Sequence, residues 1–169
     1  MPPPLRWIVL AVVVLMAAWI YLVPAFQAPD ENAHFGYVQH LAETGHRPGS
    51  NPFSTYRSTE QTAAAQASNA DQVAGATYAQ PMFDDRAYDA WRARSFTAEQ
   101  RANGRGHNPA AGNPPGYYAL AVVPYAIGSG LDLFGRVLLV RAMGILFAAL
   151  LAIVGWHLAA CVMPGSRSA

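Results

Sequence analysis

The chain has 169 residues, of which 53% are hydrophobic and only 12% are charged. A soluble domain usually carries about twice that share of charge, and the apolar residues here concentrate towards the two ends. This distribution indicates an all-α membrane protein rather than one soluble core. The net charge of +1, with no basic patch, argues against a nucleic-acid partner. The single Cys161 excludes an intrachain disulfide and a multi-cysteine metal site.

Residues 1–27 are predicted to form a cytoplasmic N-terminus and a first transmembrane helix. Residues 7–23 carry no charge, and about 20 residues rising about 1.5 Å each cross a hydrocarbon core about 30 Å thick. Arg6 precedes the apolar run and acidic residues follow it, so the positive-inside rule places Met1 in the cytoplasm. The alternative is a cleaved signal peptide, but the apolar run is longer than a typical signal core.

Residues 28–115 are predicted to form a long extracytoplasmic loop that carries interfacial helices. Phe35, Val38 and Leu41 recur at helical spacing, and Tyr88 and Trp91 share one face of another segment. Loops of this length are unusual in proteins unless they are functional or disordered. The helices are expected over three ranges, namely residues 30–44, residues 60–76 after a cap at Ser58 or Thr59, and residues 84–94, where the acidic pair Asp84–Asp85 reads as a helix start.

Residues 116–169 are predicted to contain two further crossings, which makes about three in all. The second crossing covers residues 117–131 with a kink at Pro124, and the third covers residues 141–162. Residues 132–140 would form a cytoplasmic turn. Arg136 in this turn and Arg141 at the entry of the third helix agree with the orientation assigned from Arg6.

An acidic motif follows the first apolar helix, with Asp30, Glu31 and His34 as the candidate catalytic residues. A purely structural interpretation is available, because Asp is a favoured N-cap and acids in the first turn are stabilised by the helix dipole. The functional interpretation depends on spacing, since residues three and four apart share one helix face.

Carboxylates at a membrane surface suit two kinds of chemistry. One is general-base removal of a proton from an acceptor hydroxyl. The other is coordination of a divalent cation that neutralises a phosphate leaving group, which makes such a cation the candidate cofactor. A metalloprotease is excluded, because the motif contains one histidine where that class needs two.

The order of these motifs resembles the N-terminal part of C-type membrane glycosyltransferases. The resemblance rests on three runs: residues 28–37 around the acidic pair, residues 113–118 (Asn-Pro-Pro-Gly-Tyr-Tyr), and residues 140–144 around Arg141. This superfamily includes the protein O-mannosyltransferases, the aminoarabinose transferases and many bacterial membrane proteins of unassigned activity.

The resemblance implies transfer of a sugar from a polyprenyl-phosphate donor to an acceptor on the extracytoplasmic face of the bacterial cell membrane. The catalytic acid that the family carries in its first outer loop falls on Asp30, with Glu31 beside it. Family members have more crossings and place donor-binding residues in later helices. The chain is therefore expected to be an N-terminal fragment, a truncated gene product or a degenerate remnant, and an active enzyme would need further transmembrane segments or a subunit.

A second hypothesis is a non-catalytic membrane protein that binds a partner through its outer loop and helices. Small residues at four-residue spacing in the third apolar segment, Gly144, Ala148 and Ala152, favour close helix packing. In either case, membrane lipid is an expected partner.

Overall fold

The protein is described by a computed structural model that covers residues 1–49, 54–74 and 84–163. The described residues contain helices and no strands, which confirms the all-α class. Two short 3-10 turns, Pro109–Gly112 and Gly128–Gly130, flank α7. The helices are α1 (Pro3–Leu22), α2 (Glu31–Thr44), α3 (Thr59–Ala67), α4 (Ala70–Ala74), α5 (Asp85–Arg92), α6 (Ala98–Ala102), α7 (Gly116–Ile127) and α8 (Leu133–Val162).

The chain divides into two compact units. The first, here called the apolar unit, comprises Met1–Leu22 and Arg141–Ala169, and the second, the insert unit, comprises Val23–Val140. This division differs from the predicted boundaries at residues 27 and 115, because the compact insert extends through α7 into the first turns of α8. The predicted loop is thus a packed unit of helices in the described residues.

Two helices are long and apolar enough to cross a membrane, α1 and α8. Only 6% and 11% of their most apolar windows are buried, whereas the core helix of a soluble protein would be mostly buried. The predicted second crossing at residues 117–131 is not among them. Its helix, α7, has 12 residues, which rise about 18 Å and fall short of a hydrocarbon core about 30 Å thick.

Residues 132–140 form a helix and not the predicted cytoplasmic turn. The Asp132 carboxylate accepts a hydrogen bond of 2.8 Å from the Gly135 amide and so caps the start of α8. Leu133, Phe134 and Val137 follow at helical spacing and are buried in the insert unit. The predicted third helix therefore ends at Val162 as expected but begins at Leu133 instead of Arg141.

Arg141 lies at the end of α1 opposite to Arg6. Within the apolar unit, Arg141 Nη1 donates to the carbonyl oxygen of Ile20 at 3.2 Å, and Ile20 lies near the end of α1 opposite to Arg6. A long basic side chain here satisfies a carbonyl that the final turn of α1 leaves without a helical partner. This contact does not support the prediction that both arginines lie at the cytoplasmic edge.

Helix α2 lies at the centre of the insert unit, where it packs against α7, α6 and the Pro109–Gly112 turn. Its buried side chains include Phe35, Tyr37 and Val38, which are at most 3% exposed. Facing residues Tyr118, Ala121 and Tyr125 of α7 are buried as well, at the i, i+3 and i+7 positions of one helix face.

The predicted helix over residues 60–76 is divided in two. Ser58 caps α3 by accepting a hydrogen bond from the Gln61 amide, as expected. Asn69 then adopts a left-handed conformation with φ of 54°, which ends the first helix because an α-helix cannot continue through that region. Helix α4 follows from Ala70, and the predicted end at residue 76 lies outside the described residues.

Helix α5 confirms the structural interpretation of the second acidic pair. The Asp84 carboxylate accepts hydrogen bonds from the amides of Arg86 and Ala87, so Asp84 is an N-cap. Tyr88 and Trp91 share one face of the helix as predicted. Both rings contact Phe134 of α8, with centroid distances of 4.7 and 4.5 Å.

Candidate functional site

The connection that leads into α2 contains two residues with left-handed backbone, Phe26 with φ of 67° and Asp30 with φ of 57°. The Phe26 peptide is held on both sides. Its amide donates to Glu31 Oε2 at 2.6 Å, and its carbonyl accepts from Asn32 Nδ2 at 3.5 Å. The Phe26 ring is buried against Phe35 at a centroid distance of 5.5 Å. Glu31 therefore shapes the entry of α2.

Asp30 does not cap α2 with its side chain, which corrects the structural interpretation of this residue. The helix begins at Glu31, and Asp30 contributes only its carbonyl, which accepts from the His34 amide at 3.1 Å. Its exposed carboxylate has no hydrogen-bond or ion-pair partner among the described residues. A left-handed non-glycine residue costs about 1–2 kcal/mol, and here no side-chain contact compensates for that cost.

His34 turns towards the residues that precede and begin α7. Its Nδ1 lies 2.8 Å from the Tyr118 hydroxyl, which also accepts a hydrogen bond of 2.9 Å from Asn113 Nδ2. An amide nitrogen can only donate, so the Tyr118 hydroxyl hydrogen is available for His34 Nδ1. With this donor at Nδ1, a neutral His34 carries its own hydrogen on Nε2.

A stack of aromatic rings holds Tyr118 in place. The Tyr37 ring lies 3.7 Å from the Tyr118 ring at an interplanar angle of 7°. The Tyr37 hydroxyl in turn accepts from Arg47 Nε at 3.0 Å, and Arg47 Nη2 donates to the Ala111 carbonyl. Each ring has its polar end paired and its face covered, so Tyr118 is a rigid partner for His34.

An open cleft of about 580 Å³ lies beside this arrangement. Burial raises the pKa of the Tyr117 hydroxyl, and the neighbouring Tyr118 and the charge of Glu31 raise it further. Glu31 therefore contributes to the electrostatic environment of the cleft through Tyr117, although Glu31 does not line the cleft. The cleft is lined by His34, Asn113, Pro114, Gly116, Tyr117 and Tyr118.

The three predicted site residues have three different environments. Glu31 binds a backbone amide, His34 pairs with Tyr118 at the cleft, and the Asp30 carboxylate is exposed to solvent. The predicted common helix face is wrong for Asp30, because its left-handed backbone lies outside the helix. The structure does bring together His34 and the Asn-Pro-Pro-Gly-Tyr-Tyr run, two parts of the chain that the sequence singled out separately.

The described residues contain no ready-made cluster of metal-binding side chains. Within residues 1–49, 54–74 and 84–163, no three His, Cys, Asp or Glu side chains converge. Glu31 already binds the Phe26 amide, and His34 binds Tyr118.

A buried polar network in the same unit was not predicted from the sequence. Gln39 Nε2 donates to Glu60 Oε2 at 2.8 Å, and the Tyr125 hydroxyl donates to Glu43 Oε1 at 2.7 Å. Arg136 Nη1 lies 3.0 Å from the Tyr125 hydroxyl and 3.7 Å from Glu43 Oε1. Arg136 was predicted to lie in a cytoplasmic turn. It is instead 7% exposed and pairs with Glu43, a residue of the predicted outer loop.

Burial shifts the titration of this network. It raises the pKa of the Glu60 carboxyl, and the charges of Arg136 and Arg101 act in the opposite direction. Burial also raises the pKa of the Tyr125 hydroxyl, and its hydrogen bond to Glu43 adds to the shift. Only the four-residue spacing of Gln39 and Glu43 in α2 was visible in the sequence, and it is equally typical of a solvated helix face.

Comparison of the chain with protein-family models, with functionally characterised proteins and with solved structures gave no match.

Proposed function

We propose that this chain is a membrane protein in which α1 and α8 cross the bilayer and the insert unit lies on the extracytoplasmic side. The apolar, exposed surfaces of both helices support this proposal. Arg6 before α1 favours a cytoplasmic N-terminus. The contact between Arg141 and Ile20 supports an antiparallel pair of spans, in which the end of α8 returns to the cytoplasm.

We further propose that the insert unit forms the acceptor side of a C-type glycosyltransferase site that uses a polyprenyl-phosphate sugar. The observation that carries this proposal is the cleft, because its lining joins His34 of the acidic motif to the Asn-Pro-Pro-Gly-Tyr-Tyr run. Both runs belong to the resemblance noted in the sequence. They meet at the contact between His34 and Tyr118, two residues that are 84 positions apart in the chain.

The chemistry of the cleft suits a sugar. Tyr117, which is 45% exposed, offers ring surface to the apolar C–H face of a pyranose or furanose, while His34 and Asn113 offer hydrogen-bonding groups to its hydroxyls. A pocket with aromatic walls and a few oriented polar groups is typical of a small-molecule site. The rigid Tyr37–Tyr118 stack keeps these groups in place before the ligand binds.

Asp30 is proposed as the general base. In the transfer step, an acceptor oxygen forms a bond to the anomeric carbon while the bond from that carbon to the phosphate oxygen breaks. Asp30 receives the proton of the acceptor, and polyprenyl phosphate leaves. An exposed carboxylate without a partner is available for this proton transfer, which commonly contributes about 10²–10⁴-fold to a rate.

The test is an assay of sugar transfer by the chain in native membranes, which retain the further transmembrane segments or subunit that would complete the site. The donors are polyprenyl phosphates that carry single hexoses or pentoses, and the readout is release of polyprenyl phosphate. Asp30→Asn is expected to lower turnover by about 100-fold or more. The matched control is Asp84→Asn, because Asp84 is an exposed acid whose role is to cap α5, and this variant should retain turnover.

Two outcomes would contradict the proposal. Full turnover by a folded Asp30→Asn variant would exclude Asp30 as the base. If the wild-type chain neither turns over nor binds any of these donors, the second hypothesis of a non-catalytic, partner-binding membrane protein would be favoured.

A further inference from the structure

Among the described residues of the insert unit, the large exposed hydrophobic side chains lie in one stretch of chain. Over its described residues, every large hydrophobic side chain that is exposed lies between Tyr117 and Leu138. Single exposed hydrophobic residues scattered over a surface are ordinary, whereas a contiguous patch indicates an interaction site. The six side chains are Tyr117, Leu120, Val123, Ile127, Leu131 and Leu138.

Helix α7 is apolar on two opposite faces. Tyr118, Ala121 and Tyr125 are buried against the rest of the insert unit, in which α7 packs on α2. The outer face recurs at helical spacing, and Leu120, Val123 and Ile127 on it are 55%, 56% and 73% exposed. No charged residue occurs from Gly116 to Leu131, so no charge on this segment opposes contact with an apolar environment.

We propose that the outer face of α7 lies in the water–lipid interface of the membrane, with the helix lying along the membrane surface instead of crossing it. The helix is too short to span a bilayer by itself. Its two-faced pattern allows one face to bind protein while the other enters the headgroup and acyl-chain boundary. Tyr117 at its start has the amphipathic ring that is enriched at that depth.

Lipid is the favoured occupant of this face because of how the chain continues. The insert unit is joined at Val23 to α1 and at Val140 to the rest of α8, and both helices are candidate spans. Each end of the insert unit therefore begins where a proposed span ends. Only five residues separate the end of α7 at Ile127 from Leu133 of α8, so the apolar face is close in sequence to a membrane segment.

One consequence depends on the proposed function, although the lipid contact itself does not. Gly116 and Tyr117 begin α7 and also line the cleft beside His34. A helix that lies in the interface would hold this end of the cleft at the depth of lipid headgroups. A polyprenyl phosphate would then reach the cleft without leaving the bilayer.

The test measures the depth of single labelled sites in the full chain, reconstituted in phosphatidylcholine–phosphatidylglycerol vesicles. Cysteines replace Leu120, Val123 or Ile127 in a Cys161→Ser background, and each carries an environment-sensitive fluorophore. Lipids with a nitroxide near the headgroup or deep in the acyl chain serve as quenchers. The positive control is Leu151→Cys, on the exposed surface of α8, and the water-exposed control is Glu99→Cys in α6.

The three α7 sites are expected to show similar quenching by the shallow nitroxide and less quenching by the deep one than Leu151→Cys. Glu99→Cys should be quenched by neither. A steady change of depth from position 120 to position 127 would show that α7 crosses the membrane and would overturn the proposal. Absence of lipid quenching at all three sites would also overturn it, since another protein surface or a second copy would then cover this face.

Discussion

Acids at the two ends of α2 have opposite environments. Asp30, just before the helix, is exposed, lacks a side-chain partner and has a left-handed backbone. Glu43, in the last turn, accepts hydrogen bonds from Tyr125 and Arg101 and pairs with Arg136. The part-buried Glu43 carboxylate is fully paired within the fold, whereas the Asp30 carboxylate makes no hydrogen bond or ion pair among the described residues and only the Asp30 carbonyl binds the start of α2. A non-glycine residue held in a left-handed conformation is a feature that clusters at functional sites.

The largest expected loss of stability comes from removing Arg136, the buried partner of Glu43. Arg136→Met removes the buried cation beside Glu43 and Glu60 and leaves Arg101 as the cation near them. Removal of one partner from a buried ion pair typically costs about 3–5 kcal/mol, and because Arg101 remains, the loss should lie towards the lower end of that range. Thermal unfolding of the full chain in detergent micelles, with hydrogen exchange of α2 as the local readout, measures the loss.

The matched control is Arg92→Met. Arg92 pairs with Asp132 at 3.0 Å, but its side chain is 57% exposed, so the loss should be about 1 kcal/mol or less. If Arg136→Met fails to fold, the double variant Arg136→Met, Glu43→Gln should recover folding by removing one unpaired charge. Equal losses for the two single arginine variants would show that burial of the network does not matter.

A smaller effect is expected at the entry of α2. Glu31→Ala leaves the part-buried Phe26 amide without its acceptor, which should destabilise the insert unit by about 1–3 kcal/mol. Glu99→Ala, at an exposed acid of α6, should change stability by less than about 0.5 kcal/mol. An unfolding midpoint for Glu31→Ala that matches the Glu99→Ala control would show that the contact between Glu31 and the Phe26 amide does not stabilise the insert unit.

The stability of the insert unit should depend on pH because the Glu60 carboxyl is buried. Burial raises its pKa in the folded state above the unfolded value of 4.5, so the folded state binds more protons between these two pKa values. Stability should therefore fall as pH rises from about 4.5 through the folded pKa, and level off above it. Glu60→Gln should remove this slope. A slope that persists in Glu60→Gln would assign it to another group.

Much of the fold was predictable because apolar runs dominate it. Helix α1 and the end of α8 at Val162 followed from uninterrupted hydrophobic sequence, and caps at Ser58 and Asp84 followed from local chemistry. The second crossing is not among the candidate spans, because its apolar run folds as a helix of only 12 residues that is apolar on both a buried and an exposed face. Asp132, which caps the start of α8, was predicted to lie in a turn instead.

The candidate site was predictable only in part. The acidic motif drew attention to Asp30 and His34, but the partner of His34 is Tyr118, 84 residues away. Arg136 and Glu43 are likewise distant in sequence, and their pairing depends on how α2 and α8 meet in the insert unit. Local patterns report helix faces and caps, whereas contacts of this kind arise from tertiary packing.

The most direct test of the account measures stability and sugar transfer on the same sample of an Asp30→Gly variant. Glycine adopts a φ of 57° without steric cost, so the free energy of unfolding should rise by about 1 kcal/mol. Turnover should fall by about 100-fold or more, because the proposed base is gone. A variant that is less stable, or one that keeps full turnover, would contradict the account.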